Sequence, residues 1–535
     1  MYYISQHIKK LITYIIFMHC IWNCSLFFFQ VPIDFWSDHY DLDIDHEMYF
    51  GSRLLEKELI YTKELHDKLP ITQYLFLLPA QYGGVFTFKI ICIAIILISG
   101  AYLYYIGVSI YKDSEKKQRH TILLSTTLLY LALHAQLFLF HLSTIASCFI
   151  TISAAIYLNQ SFNSKTRKDR FHSLNVGGLI SGVIAVSFRP YLFVPFMLMT
   201  ISSVIRDLYL SVFKASTNCS DGIHINNYRY LTKVFLVNFA SFSVIALIIN
   251  GVPYLLTNQL ANFYDGIRHN LQKLNPSSYL DVLIHEKRIF SQLSVGLQIQ
   301  FVIYVLLLSL FSLLVIFDKR QSNLKQETLF YISIFMIVPI ILLQISIISR
   351  HFWPHYLEMF IPFIVIGYMF IIKEIISVFN AVFTYCIKHL YYLIILIGTI
   401  STCFGISQSV VDNHPSMQKL DLVKAVLTER VMNNSPRDFI YLSNMYVHWK
   451  LQESRHGFPH AANIDHINRQ WWINVQKSNI IDFPYTKQQI CSKLTYSNIA
   501  VIFTEIGSSE YECMLKLPDK YELHLQDKVS VFFKK

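Results

Sequence analysis

VFTFKIICIAIILISGAYLYYIGVSIYKDSEKKQRHTILLSTTLLYLALHAQLFL, residues 85–139, holds two long apolar runs around a short basic stretch. Each run can cross a hydrocarbon core of about 30 Å at roughly 1.5 Å per residue in a helix. The stretch between them, KDSEKKQRH at 112–120, is dense in Lys and Arg, which holds a loop on the cytoplasmic side of a membrane. An apolar run, a basic loop and a second apolar run read as a pair of membrane-spanning helices. The same alternation continues through most of the chain.

The composition agrees. The 535 residues are 53% hydrophobic, with a mean hydropathy of +0.40, too apolar for an ordinary soluble protein of this length. The candidate spans are 11–30, 85–111, 121–139, 142–158, 174–188, 191–206, 233–254, 295–317, 328–348, 355–372 and 391–408. Residues 71–84, ITQYLFLLPAQYGG, are apolar but short, with Pro79 and a Gly pair, and read as a re-entrant or interfacial piece. The first run follows Lys9 and Lys10 and lacks a small-x-small cleavage site, so it reads as a retained helix. With the N-terminus in the cytoplasm, the basic loops KDSEKKQRH, NSKTRKDRFH and DKRQSNLK all fall inside. The segments 31–84 and 255–294 then lie outside, as does everything after the last span. The basic residues behind the net charge of +10 cluster in short loops of this kind, and no basic stripe points to nucleic acid.

The predicted fold class is a polytopic α-helical membrane protein of about eleven transmembrane helices, followed by a small extracytoplasmic α/β domain. The predicted domains are 1–408, with its first external loop at 31–84, and 409–535. In the second, DFIYLSN and NIAVIFTE read as buried strands and VSVFF as an edge or terminal strand. RHGFPHAANIDHINRQWW at 455–472 is either a loop packing on the membrane part or a sugar-stacking segment. The nine cysteines show no metal-binding spacing. Cys491 and Cys513 share the C-terminal domain. Outside the cytoplasm they are able to pair; two free buried thiols are the alternative.

Four places carry polar residues that a membrane protein holds at a cost. The first is DLDIDHEMYF at 41–50. Met48, Leu54, Leu55 and Leu59 are spaced as one face of an amphipathic helix over 47–60, opposite Arg53, Glu56, Lys57 and Glu58. That helix does not explain the crowding of Asp43, Asp45 and Glu47, which repel one another near lipid. A general base with a neighbour that binds a polar substrate or ion would explain it. The second place is His66-Asp67-Lys68-Leu69-Pro70, where Lys68 is either an interfacial anchor or a contact to a lipid phosphate. The third is Arg189-Pro190, between two short spans, snorkelling outward or facing a polar cavity that takes an anion. The fourth is SRHFWPHYLEMFIPF at 349–363, which gathers Arg350, His351, His355 and Tyr356 at an external helix junction. Pro354 interrupts the His351/His355 pair as one helical face for zinc, so no metal site is assigned.

Together these residues resemble the GT-C glycosyltransferases, in particular the group of protein O-mannosyltransferases and the aminoarabinose transferase of lipid A. The resemblance rests on Asp45-His46-Glu47-Met48-Tyr49 in the first external loop, on Asp67-Lys68-Leu69-Pro70, and on Arg350, His355, Tyr356 and Pro362 late in the membrane part. It implies transfer of a sugar from a polyprenyl-phosphate-linked donor to a lipid, glycan or protein acceptor outside the cytoplasm. Asp45 would be the base, with Asp43 or Glu47 as alternates because His46 separates the acids. Lys68, with Arg189, Arg350, His355 and Tyr356, would hold the donor phosphate. Leu69, which interrupts the Lys-Pro step, and His46 are departures from the family pattern. Displacement at an anomeric carbon needs a base for the acceptor and a cation, or a divalent metal ion, for the departing phosphate. The residue bias of the chain suggests a bacterial inner membrane. The alternative is a transporter or lipid-linked-sugar flippase without chemistry, which would show paired halves and broken helices at mid-membrane. No Walker loop or Rossmann fingerprint occurs.

Overall fold

The computed structural model describes parts of 47–61 and 330–338, most of 68–136, 142–163, 175–215, 223–272, 358–378, 439–441, 501–505 and 509–535. The helices are α1 Ile71–Gln81, α2 Gly84–Ile110, α3 Lys116–Gln136, α4 Leu142–Asn163, α5 Val176–Phe188, α6 Phe193–Ala215, α7 Ile223–Leu256, α8 Leu260–Gln272 and α9 Ile361–Val378. The described residues fall into two compact units. One is drawn from Lys89–Val252 and Gln272–Val411, the other from Val31–Phe88, Pro253–Leu271 and Asp412–Lys535.

The first unit is a helical bundle. Among the described residues, Thr87–Ile110, Leu142–Phe162 and Leu231–Leu256 are long and apolar enough to cross a membrane. Val176–Phe188, Pro190–Ser202 and Glu358–Ile371 are shorter apolar helices. Helices cover most of the described residues of the expected spans 85–111, 121–139, 142–158, 174–188, 191–206, 233–254 and 355–372, of which 137–139, 174 and 355–357 lie outside the described residues. Phe330, Tyr331, Ile334 and Val338 of the 328–348 span are helical too. The expected spans 11–30, 295–317 and 391–408 lie outside the described residues.

Helix α4 is the centre of this bundle, and its side chains show why. Small and hydroxyl residues (Ser143, Ala146, Ser147, Ala154, Ala155) are buried along it and let neighbouring backbones approach. Hydroxyls then tie the helices together where no water is at hand. Ser153 donates to the Gly178 carbonyl of α5 at 2.9 Å. Tyr130 of α3 bridges Ser99 of α2 at 2.9 Å and Thr151 of α4 at 3.1 Å. Asn250 of α7 donates to Ser187 of α5 at 3.3 Å. Outward-facing Leu236, Val244, Leu247 and Ile248 of α7 are exposed, an apolar face that suits lipid.

In the second unit, a packed loop precedes α1. Its core joins Phe50, Leu59, Ile60 and Tyr61 to Tyr254, at the end of α7. The sequence predicts one helix over 47–60, but among the described residues the last helical one is Leu55, and Lys57 takes a left-handed φ of 62°. The predicted apolar face also shifts: Leu55 is exposed, while Phe50 and Gly51 are buried. The cause is close packing, since a Cβ on Gly51 would collide with the Phe76 backbone of α1. Most of the 71–84 stretch forms α1, Ile71–Gln81, which Pro70 opens in a helical conformation.

The C-terminal part of this unit carries a four-stranded sheet in the order β1-β2-β4-β3: β1 Phe439–Tyr441, β2 Val501–Glu505, β3 Tyr521–Gln526 and β4 Val529–Lys534. A short helix, α10 Ser509–Met514, follows β2. β1 runs parallel to β2, and the other pairings are antiparallel. VSVFF is the last strand in the chain but an interior strand of the sheet, because β3 covers its outer edge. That covering strand, YELHLQ, was not predicted, although it alternates Tyr521, Leu523 and Leu525 with Glu522, His524 and Gln526. The segment 455–472 lies outside the described residues.

Candidate functional site

Each unit holds a group of polar side chains in an otherwise apolar setting. In the bundle, the group forms where several helices end or begin. α3 ends at Gln136, α4 begins at Leu142, α5 ends at Phe188, and a 3-10 turn at 358–360 leads into α9. The break after α5 comes from Arg189-Pro190. Arg189 leaves helical geometry (φ −140°, ψ 95°), its N–H still reaching the Ala185 carbonyl, and Pro190 opens a 3-10 turn. Pro disfavours helical geometry in the residue before it, which fixes the break at Arg189.

Arg189 is buried, 3% exposed, and its Nε donates to Ser143 Oγ at 2.9 Å. The next α4 residue, Thr144, donates to the Glu358 carboxylate at 2.5 Å. One turn on, Ser147 donates to the Glu358 carbonyl at 2.7 Å and lies 3.5 Å from His134 Nε2. Glu358 and His134 are both fully buried. One turn of α4 therefore holds a guanidinium, a carboxylate and an imidazole at one end of the bundle. A buried cation beside buried hydroxyls attracts an anion once one can enter.

Toward the opposite end of α4, Ser161 accepts from Arg206 Nη1 at 2.9 Å, and the Tyr331 hydroxyl lies 3.2 Å from the same nitrogen. Ser143 and Ser161 are about 27 Å apart along the helix at roughly 1.5 Å per residue. The two polar clusters thus lie near opposite ends of α4.

In the second unit, Glu47 and Lys68 are buried, at 1% and 7% exposure. Glu47, in the loop before α1, is itself helical. Gln73 of α1 ties that loop shut: its Nε2 donates to the Phe50 carbonyl at 2.9 Å, and its Oε1 accepts from the Ile60 N–H at 3.1 Å. Lys68 occupies a bend just before Pro70 and α1, and its carbonyl accepts from the Tyr61 hydroxyl. An ammonium on a buried stem in a loop of this kind suits a lipid phosphate.

Of the residues singled out from sequence, Glu47, Lys68 and Arg189 are placed, all buried. Asp43, Asp45, Arg350, His355 and Tyr356 lie outside the described residues. Sequence reasoning missed Glu358, His134 and Arg206. Each is a charged or titratable residue within an apolar run, which is itself a signal. The hydroxyl set Ser143, Thr144 and Ser147, at helical spacing where a span begins, is the second signal overlooked.

No family model matches the chain, and no curated protein matches it. Among solved structures, the crystal structure of ArnT from Cupriavidus metallidurans bound to undecaprenyl phosphate is similar. The TM-score is 0.54 at 11% identity, over 98% of this chain and 97% of that one. At that identity the likeness is one of fold. The chain shares the fold of that protein over nearly its full length.

Proposed function

We propose that the chain is a membrane glycosyltransferase that moves a sugar from a polyprenyl-phosphate-linked donor to an acceptor outside the cytoplasm, in cell-envelope glycan assembly. The observation that carries this reading is the end-to-end fold likeness to a protein crystallised with undecaprenyl phosphate. The Asp45, Lys68 and Arg350-His355-Tyr356 motifs of the sequence agree with it.

In the proposed reaction, a carboxylate takes the proton of the acceptor O–H or N–H. The freed lone pair forms a bond to the anomeric carbon, and the bond from that carbon to the phosphate oxygen breaks. Polyprenyl phosphate leaves with the electron pair. Asp45 is the proposed base, with Asp43 and Glu47 orienting the acceptor. Lys68 and Arg189, with Arg350, His355 and Tyr356, are the proposed contacts for the developing phosphate charge. A divalent metal ion would supply the same kind of stabilisation.

The proposed location is the bacterial inner membrane, with residues 1–408 in the bilayer and residues 409–535 on the extracytoplasmic side. Support for that side comes from Cys513, which is buried in the C-terminal part and disulfide-bonded. Disulfides persist in oxidising compartments. The test is mass spectrometry of envelope glycans and lipid A from cells with and without the chain. Loss of one glycoform together with accumulation of a polyprenyl-phosphate sugar supports the reading. Identical glycan and lipid profiles contradict it.

A further inference from the structure

Tyr61 has no role in the reading above, yet it is one of the most constrained residues in the second unit. Its φ is 64°, in the left-handed region, an unfavourable conformation for a bulky aromatic residue. Such backbone persists only where the surroundings over-determine it. Here they do so on four sides. The Tyr61 hydroxyl donates to the Lys68 carbonyl. Its ring stacks on Tyr254, with centroids 6.1 Å apart. Tyr254 in turn donates to the carbonyl of Ile60 at 2.8 Å, and the Ile60 N–H is held by Gln73. On the fourth side lies Gly266 of α8, where a Cβ would collide with the Tyr61 ring.

The mount for this arrangement is the corner between α7 and α8. Asn258 turns the chain in a left-handed conformation (φ 55°), and the N–H of Gln259 returns to the Tyr254 carbonyl at 2.7 Å. This 6→1 bond with an αL residue closes a helix end firmly. It fixes Tyr254 at the end of α7 and starts α8, which carries Gly266.

We infer that Tyr61, seated on the α7–α8 corner, is the positioning residue that aims Lys68 at the donor phosphate. The inference rests on the proposed role of Lys68 as a donor contact. A lysine has a flexible four-carbon stem, and ordering it on binding costs conformational entropy. Anchoring the Lys68 carbonyl fixes where the stem begins. Its burial, at 7% exposure, restricts where the stem runs. The ammonium is thereby aimed before the donor arrives. The segment after α7 then serves the donor site as the seat of Tyr61, without touching substrate.

The test measures undecaprenyl phosphate binding to the full chain in nanodiscs. It compares wild type, Lys68→Ala, Tyr61→Phe, Gly266→Ala and the Lys68→Ala/Tyr61→Phe double variant. Lys68→Ala is expected to weaken binding roughly tenfold or more, through loss of a charge-assisted contact. Tyr61→Phe keeps the ring and removes the hydroxyl, and is expected to weaken binding about threefold to tenfold. Gly266→Ala, which crowds the ring, is expected to do the same. The double variant is expected to bind no worse than Lys68→Ala alone, because Tyr61 acts only through Lys68. A Tyr61→Phe loss that multiplies with that of Lys68→Ala marks a purely structural residue and overturns the inference. Wild-type affinity in both Tyr61→Phe and Gly266→Ala overturns it as well. If the wild type fails to bind, the donor reading itself is at fault. Wild-type binding by Lys68→Ala removes Lys68 from the donor site, and the inference falls with it.

Discussion

Arg189 donates from Nε to the hydroxyl of Ser143 across 2.9 Å, at the helix break between α5 and the 3-10 turn that leads into α6. Thr144, the next residue of α4, holds the Glu358 carboxylate. Adjacent hydroxyls on one helix thus grip a cation and an anion inside an apolar bundle. Buried charges of this kind are costly to maintain and are kept where they are used. Arg189→Gln is predicted to weaken undecaprenyl phosphate binding roughly tenfold or more, the loss of a charge-assisted contact. Arg189→Lys, which keeps the charge but not the fork, should fall between. Unchanged affinity in Arg189→Gln would take this residue out of the donor site.

The Thr144–Glu358 bond makes a separate prediction, about stability. Thr144→Val keeps the shape and removes the donor, leaving a buried carboxylate with one hydrogen bond fewer. The expected cost is about 1–3 kcal/mol, read as a lower melting temperature in detergent or nanodiscs. Thr144→Ser restores a hydroxyl and should retain most of the stability. Equal melting temperatures for Thr144→Val and wild type would mean that this contact contributes nothing to the bundle.

The bundle was legible in the sequence because lipid imposes a simple rule: a spanning helix is a long apolar run, and the runs at 85–111, 142–158 and 233–254 obey it. Which face of each run turns inward was less legible, because apolar residues surround both faces. The informative residues were the exceptions. Arg189 was read as an anion contact because a charge beside proline is conspicuous. Glu358 and His134 were passed over as members of apolar runs. The loop before α1 was misjudged for a different reason. Its amphipathic spacing predicts one continuous helix, but Gly51 must lie against the Phe76 backbone, and Lys57 and Tyr61 turn left-handed. Those are tertiary demands, and spacing does not encode them. In the sheet, YELHLQ carries a strand signal in the alternation of Tyr521, Leu523 and Leu525 with polar residues, but it is less apolar than the other three strand segments.

Cys513 supplies a test of sidedness. It is buried and disulfide-bonded, so protein purified without reductant should resist alkylation at Cys513 even when unfolded in denaturant, and react after reduction. Removing such a bond typically costs about 2–4 kcal/mol, so reduction should also lower the melting temperature. Quantitative alkylation of Cys513 in unreduced, unfolded protein would show a free thiol and withdraw this support for an extracytoplasmic C-terminal part.

The proposed base makes the sharpest chemical prediction. Asp45→Asn keeps shape and removes basicity, so donor binding should persist while transfer falls roughly a hundredfold or more. Asp43→Asn and Glu47→Gln are expected to have smaller effects. Near-normal turnover in Asp45→Asn, with collapse in one neighbour, would move the role of base to that neighbour. Full activity in all three would leave the acidic stretch as a solvated helix start.

The most direct test of the central claim follows the donor lipid itself. Purified protein in sealed vesicles would be supplied with membrane lipid extract containing polyprenyl-phosphate sugars and envelope acceptors, and the lipids followed by mass spectrometry. A glycosyltransferase predicts loss of one polyprenyl-phosphate sugar, matched by release of free polyprenyl phosphate and gain of a glycosylated acceptor, all absent in Asp45→Asn. Chemically unchanged lipid-linked sugars that merely move from one leaflet to the other would contradict the account and identify a flippase.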